Sequence, residues 1–240
     1  MNNYSANSEP TVFTSENTKI GTSFVANVFM WLFGALLVSG ALAYMFGTNE
    51  NLIRLLYSQS GFTSLGYIIA FAPLGLVMLM SFGYKKLSST GLAIVFIIYA
   101  GLTGASLGFI FIAFQLSTIY NAFAITAGMF VLMSILGYTT KMDLTKFGSI
   151  MIMGLIGIVI ASVVNLFLRS DAMDFIICII GVIVFTGLTA YDVQNIKKNA
   201  QYAGAHPETT RKMTIMSALS LYLNFINLFL MILRLLGRRR

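Results

Sequence analysis

Phe175-Ile-Ile-Cys-Ile-Ile-Gly-Val-Ile-Val-Phe-Thr-Gly-Leu-Thr-Ala-Tyr-Asp192 is an uncharged, largely apolar run that ends on a carboxylate. Its apolar part is just long enough to cross a bilayer as a helix, which takes about 17–25 residues. An ionisable group at that depth costs roughly 3 kcal/mol on insertion scales, so it is expected to face a cavity or a partner and to mark an ion path. Asp192 is the single carboxylate that falls inside such a run, and it is the first residue to explain.

The rest of the chain has the same character. Of 240 residues, 58% are hydrophobic and 10% charged, with a mean hydropathy of +0.84. A soluble domain carries about 25% charged residues, so the deficit predicts an all-α integral membrane protein. Uncharged stretches place one span in 20–49, centred on 23–46, and a second in 61–84. The 54 uncharged residues 87–140 hold two more, broken at the polar patch Gln115-Leu-Ser-Thr-Ile-Tyr-Asn121. Segments 147–168, 175–192 and 213–233 complete seven spans in one domain, 20–237. Residues 1–19 are polar, have no apolar signal-peptide core, and read as a disordered tail. Residues 238–240 form a basic tail.

Charge sets the expected orientation. A cytoplasmic N-terminus puts Lys19, Lys85, Lys86, Lys141, Lys146, Lys197, Lys198, Arg211 and Lys212 on the inner side and only Arg54 and Arg169 on the outer loops. That asymmetry follows the positive-inside rule. The net charge of +7 is thus spent at helix ends, and no nucleic-acid partner is expected. Arg234, Arg238, Arg239 and Arg240 disagree, because a full seventh span carries them outside. A re-entrant hairpin would return them, but 213–236 has no Gly or Pro for the bend, and non-helical backbone cannot face lipid. A full span is the preferred reading.

The seventh segment carries Ser217, Ser220, Asn224, Asn227 and Arg234 at intervals of 3, 4, 3 and 7. At 100° per residue they share a stripe roughly 100° wide. Such a stripe serves either as interhelical hydrogen-bond glue, worth about 0.6 kcal/mol per bond, or as the wall of a cavity at the bundle centre. By helix rise, Asp192 lies about 7 Å and Asn224 about 18 Å from the lysine-rich face, so tilt can bring them together. The competing reading pairs Asp192 with Lys197 or Lys198. Gly101, Gly104 and Gly108, with Ala105, set small-xxx-small pairs on the third span; Gly154 with Gly157 and Gly181 with Gly187 read the same way, as sites of close helix approach.

Catalytic constellations are missing. His206 is the only histidine and Cys178 the only cysteine, read as a small packing residue inside a span. No Ser-His-Asp set, phosphate loop, intramembrane carboxylate pair or seventh-span lysine occurs. No catalytic residue and no cofactor are expected, and the chain reads as a non-enzyme.

Three segments carry a resemblance: Gly101-Leu-Thr-Gly-Ala-Ser-Leu-Gly108, Thr189-Ala-Tyr-Asp-Val-Gln-Asn-Ile-Lys197 and Ala218-Leu-Ser-Leu-Tyr-Leu-Asn-Phe-Ile-Asn-Leu-Phe229. They resemble the Bax inhibitor-1 family of membrane proteins, and the arginine-rich ending is similar to bacterial members of the inner membrane. The resemblance implies six helices around a central seventh. It further implies a pH-sensitive calcium leak, in which aspartates on the sixth and seventh helices share a proton and link to a basic residue after the second helix. Asp192 falls on the sixth-helix aspartate and Lys85 or Lys86 near the basic residue, while Asn224 replaces the seventh-helix aspartate. Two carboxylates titrate as a coupled pair, but Asn cannot ionise and offers an amide donor and a carbonyl acceptor. Calcium prefers several oxygen ligands. Asp192 and Asn224, helped by Ser220, therefore imply a weak calcium site and a flatter pH response than in relatives with two aspartates. The alternative implied by the family is a membrane regulator that binds a membrane protease.

Overall fold

The computed structural model describes residues 11–58, 61–203 and 206–237. Helix α1 (Thr11–Thr48) is followed by the short α2 (Glu50–Leu56) and by two two-residue strands, β1 (Tyr57–Ser58) and β2 (Gly61–Phe62), paired antiparallel. Then come α3 (Ser64–Gly83), α4 (Ser89–Leu107), the single turn α5 (Ile110–Ala113), α6 (Leu116–Thr139), α7 (Thr145–Leu168), α8 (Asp171–Ala200) and α9 (Pro207–Gly237). Seven helices are long and apolar enough to cross a membrane, and the chain is an all-α integral membrane protein.

Side-chain caps set several helix starts. Thr63 accepts from the Gly66 N–H, Ser88 from the Gly91 N–H and Ser170 from the Met173 N–H, each satisfying a backbone donor left free in a first turn. The α7–α8 turn closes on Arg169, which takes a left-handed conformation (φ 49°), while the Asn165 side chain accepts from the Ser170 N–H.

Two boundaries depart from the sequence reading, and one doubtful end is settled as expected. The break between the third and fourth spans lies at 108–115, not at 115–121: α4 stops at Gly108, and the polar residues after Gln115 form the first turns of α6. At a helix start, hydroxyls and amides sit where water and headgroups can meet them, so polarity there marks an end rather than a gap. As the preferred reading has it, α9 is one unbroken helix of 31 residues, with no hairpin, so Arg234 lies at the end opposite Lys212. Finally, α1 starts at Thr11, which draws residues 11–19 of the expected tail into a helix. Residues 1–10 and 238–240 lie outside the described residues.

α9 is the most buried helix, packed principally against α8, α1, α6 and α4. α3 packs on α4 and α7 on α8, so four helices enclose α9 and two flank them, where a ring of six was expected. Phe123 and Phe130 of α6 meet Phe225 edge to face, with ring centroids 5.7 and 5.4 Å apart. The small-residue stripe does what its spacing predicts. A methyl group at Gly104 would run into the Ser39 carbonyl of α1, and Gly101 and Gly108 face Leu42 and Phe46 of the same helix. A second tight crossing sits beside the site, where Gly137 of α6 meets the backbone of Ala190 on α8.

Candidate functional site

Asp192 sits on α8 eight residues before its last residue, Ala200, turned toward α9. Its Oδ2 accepts a hydrogen bond from the Ser220 hydroxyl at 2.5 Å and another from the Asn224 amide at 2.9 Å. Ser220 and Asn224 lie four residues apart, on one face of α9 one turn from each other. One carboxylate oxygen therefore bridges two consecutive turns of the most buried helix. Lys197 and Lys198, the competing partners, turn elsewhere: Lys197 donates to the Tyr138 carbonyl and Lys198 pairs with Asp143, both at 2.7 Å. Asp192 enters no ion pair among the described residues.

The other expected site residues are placed differently. Ser217 is half-buried and takes no part in the cluster. Asn227 donates to the Leu223 carbonyl of its own helix and lines a cleft of about 420 Å³ with Asp174 and Arg234. Arg234 pairs with Asp174 across that cleft at 3.6 Å. The α8–α9 seam thus has a carboxylate near each end, Asp192 and Asp174, about 27 Å apart by helix rise. Asp174 was not read as part of a span, because α8 runs one turn further back than the apolar run suggests. Lys85 and Lys86 are exposed in the turn between α3 and α4, and neither pairs with Asp192.

As a cation site the cluster is sparse. Calcium takes six to eight oxygens, and among the described residues no three His, Cys, Asp or Glu side chains come together. Asn224 also presents its N–H to Asp192, so its carbonyl oxygen points elsewhere until the amide turns. The described side chains do not assemble the oxygen set of a tightly held calcium ion.

Several polar contacts were not anticipated. Tyr222, fully buried, lies 2.6 Å from the Ser39 hydroxyl, which is also 2.7 Å from the Ala100 carbonyl, so α9, α1 and α4 meet at one hydroxyl pair. The Gln194 amide grips the α6–α7 loop, donating to the Met142 carbonyl and accepting from the Leu144 N–H. Beside it, the Lys198 ammonium and the Thr145 hydroxyl and N–H hold the Asp143 carboxyl well down, to a pKa of about 2. Glu208, in the first turn of α9, accepts from both the N–H and the hydroxyl of Ser89 at 2.7 Å and so ties the α9 start to the α4 start. Tyr222 and Gln194 sit inside the recognised motifs and were open to being found there. Ser39 and Ser89 carry no local signal.

A family model described as inhibitor of apoptosis-promoting Bax1 matches residues 21–240. An uncharacterised protein of Borreliella burgdorferi is 45% identical, over 92% of this chain and 94% of its own length. The Escherichia coli K12 inner membrane protein YbhL is 43% identical, over 91% of this chain and 92% of its own. An uncharacterised membrane protein of Streptococcus pyogenes is 40% identical, over 84% of each chain.

Proposed function

The chain belongs to the Bax inhibitor-1 family of inner membrane proteins, and from that premise we propose that it is a passive, pH-sensitive ion pathway, permeable to calcium and gated around Asp192. The N-terminus is cytoplasmic in this reading, which puts Asp192 in the inner half of the membrane. The observation that carries the proposal is the double acceptance by Asp192 Oδ2 from Ser220 and Asn224.

Hydrogen bonds to an ionised acceptor are about twice as strong as neutral ones. An ionised Asp192 therefore holds α8 against two turns of α9. A protonated Asp192 loses that charge, and an Oδ2 that carries the proton must donate. Ser220 can turn to accept, and Asn224 must either donate to a now neutral oxygen or turn its carbonyl inward, so a charge-assisted bond gives way to a weaker neutral one. Protonation thus loosens the seam at its inner end, and a cation that neutralises the carboxylate acts in the same sense. Nearer the other end of the seam, Asn227 and the Asp174–Arg234 pair line a separate cleft.

Calcium flux into dye-loaded liposomes tests this reading. Asp192→Ala should abolish the change of flux between mildly acidic and mildly alkaline pH; an unchanged pH profile overturns the gating role. A second reading, a regulator that binds a membrane protease, draws support from Asn224, which leaves the cluster with one charge. Absence of flux together with co-purification of a protease would favour it.

A further inference from the structure

Two adjoining hollows lie between α1 and α4, away from the Asp192 seam. One, about 370 Å³, lies at the lysine-rich end beside the start of α9 and is walled by Asn27, Trp31, Thr90 and Arg211. The other, about 330 Å³, begins at the same Trp31 and is walled by Gly34, Ala35, Val38, Phe96 and Ile97. The first mixes polar and apolar walls, the second is almost wholly apolar, and Trp31 lines both. We propose that this furrow holds one phospholipid of the leaflet at the lysine-rich end, its anionic headgroup beside Arg211 and one acyl chain laid past Trp31 toward Val38.

Sequence explains the shape. Asn27, Trp31, Gly34, Ala35 and Val38 recur at helical spacing on one face of α1, and Thr90, Ala93, Phe96 and Ile97 do so on α4. Gly34, Ala35 and Ala93 withhold side-chain bulk along the floor; a Cβ at Gly34 would meet nothing within 4 Å. From Asn27 to Val38 the helix rises about 16 Å, close to half of the roughly 30 Å hydrocarbon core. The furrow is thus one leaflet deep. An indole, apolar in body with a polar N–H, belongs at such a boundary.

Charge selects the headgroup. Arg211 forms no ion pair among the described residues, and its neighbour Glu208 turns its carboxylate to the Ser89 N–H and hydroxyl. Arg211 and Lys212 outnumber Glu208, so the mouth keeps a net positive charge. Asn27, Thr90 and Arg211 are exposed and supply donors for a phosphodiester, and the Arg211 guanidinium complements its charge.

Trp31 is the only tryptophan in the chain, so its fluorescence reports this furrow alone. The full-length protein is reconstituted in bilayers containing increasing fractions of phospholipid brominated on the acyl chain, with either a phosphatidylglycerol or a phosphatidylcholine headgroup. Half-maximal quenching is expected at about fivefold lower mole fraction of the anionic lipid, the scale of one cation against an anionic surface. Equal curves for the two lipids in the wild-type protein overturn the proposal. Arg211→Gln should bring the two curves together, and a preserved difference overturns the headgroup assignment. Gly34→Leu, which fills the floor at an open position, should weaken quenching by both lipids; unaltered quenching overturns the acyl-chain placement.

Discussion

Replacing Asn224 by aspartate puts a second carboxylate where the Asn224 amide now sits, 2.9 Å from Asp192 Oδ2. Two unit charges at that separation repel by about 6 kcal/mol at an effective dielectric of 20. At about 1.4 kcal/mol per factor of ten, that is a penalty of roughly 10,000-fold on the doubly ionised state. The pair relieves it by moving apart or by keeping one proton between the two carboxylates. Either way, the seam between α8 and α9 becomes sensitive to a proton shared by two carboxylates rather than carried by Asp192 alone. Calcium flux of Asn224→Asp in dye-loaded liposomes should therefore depend more steeply on pH than that of the native protein. The same change made together with Asp192→Ala leaves a lone carboxylate and should restore a shallow profile. An unchanged slope in the single variant would show that the two side chains do not meet in the membrane, and the reasoning built on their contact would fall.

Other consequences are open to measurement. Ser39→Ala strands the Tyr222 hydroxyl in a fully buried site and should cost about 1–3 kcal/mol, whereas Tyr222→Phe leaves Ser39 its carbonyl partner and should cost less; thermal melts in detergent that reverse this order would refute it. Gly104→Leu drives a side chain into the Ser39 carbonyl and should destabilise by about 1–3 kcal/mol, while Gly157→Ala, with nothing within 4 Å of the new methyl, should be neutral. Asp143 is held below its ordinary pKa of 3.8, at about 2, so the tie it makes to Lys198 is complete above about pH 4 and is lost as pH falls toward 2. A spin label at the exposed Met142 should gain mobility over that interval, and should already be mobile at neutral pH in Asp143→Asn; a flat profile in the native loop contradicts the sign.

Much of this was legible in the sequence because hydrocarbon is an unforgiving solvent. It allows few charges and no open backbone, so seven uncharged stretches translate almost directly into α1, α3, α4, α6, α7, α8 and α9. The polar stripe of the last segment announced a helix that does not face lipid, and α9 is the most buried of the set. Helix ends were read less well. The apolar run before Asp192 hides the first turn of α8, which carries Asp174, and the polar residues after Gln115 look like a loop but start α6. Hydropathy marks where the membrane is, and helices outlast it.

Residue types and their periodicity determined the class of protein, the number of spans and the two faces that carry Asp192 and the Ser220–Asn224 stripe. The pairing of those faces was beyond their reach. By helix rise alone, Asp192 and Asn224 differ by about 11 Å in depth, and Lys197 or Lys198 offered a nearer charge. Only the packing of α9 among α1, α4, α6 and α8, with Gly104 and Gly137 letting neighbouring backbones close up, decided that Asp192 spans two turns of α9, that Lys197 binds the end of α6 and that Lys198 binds the α6–α7 loop. Contacts between side chains 28 and 32 residues apart depend on the tilt and rotation of whole helices, which no local pattern encodes.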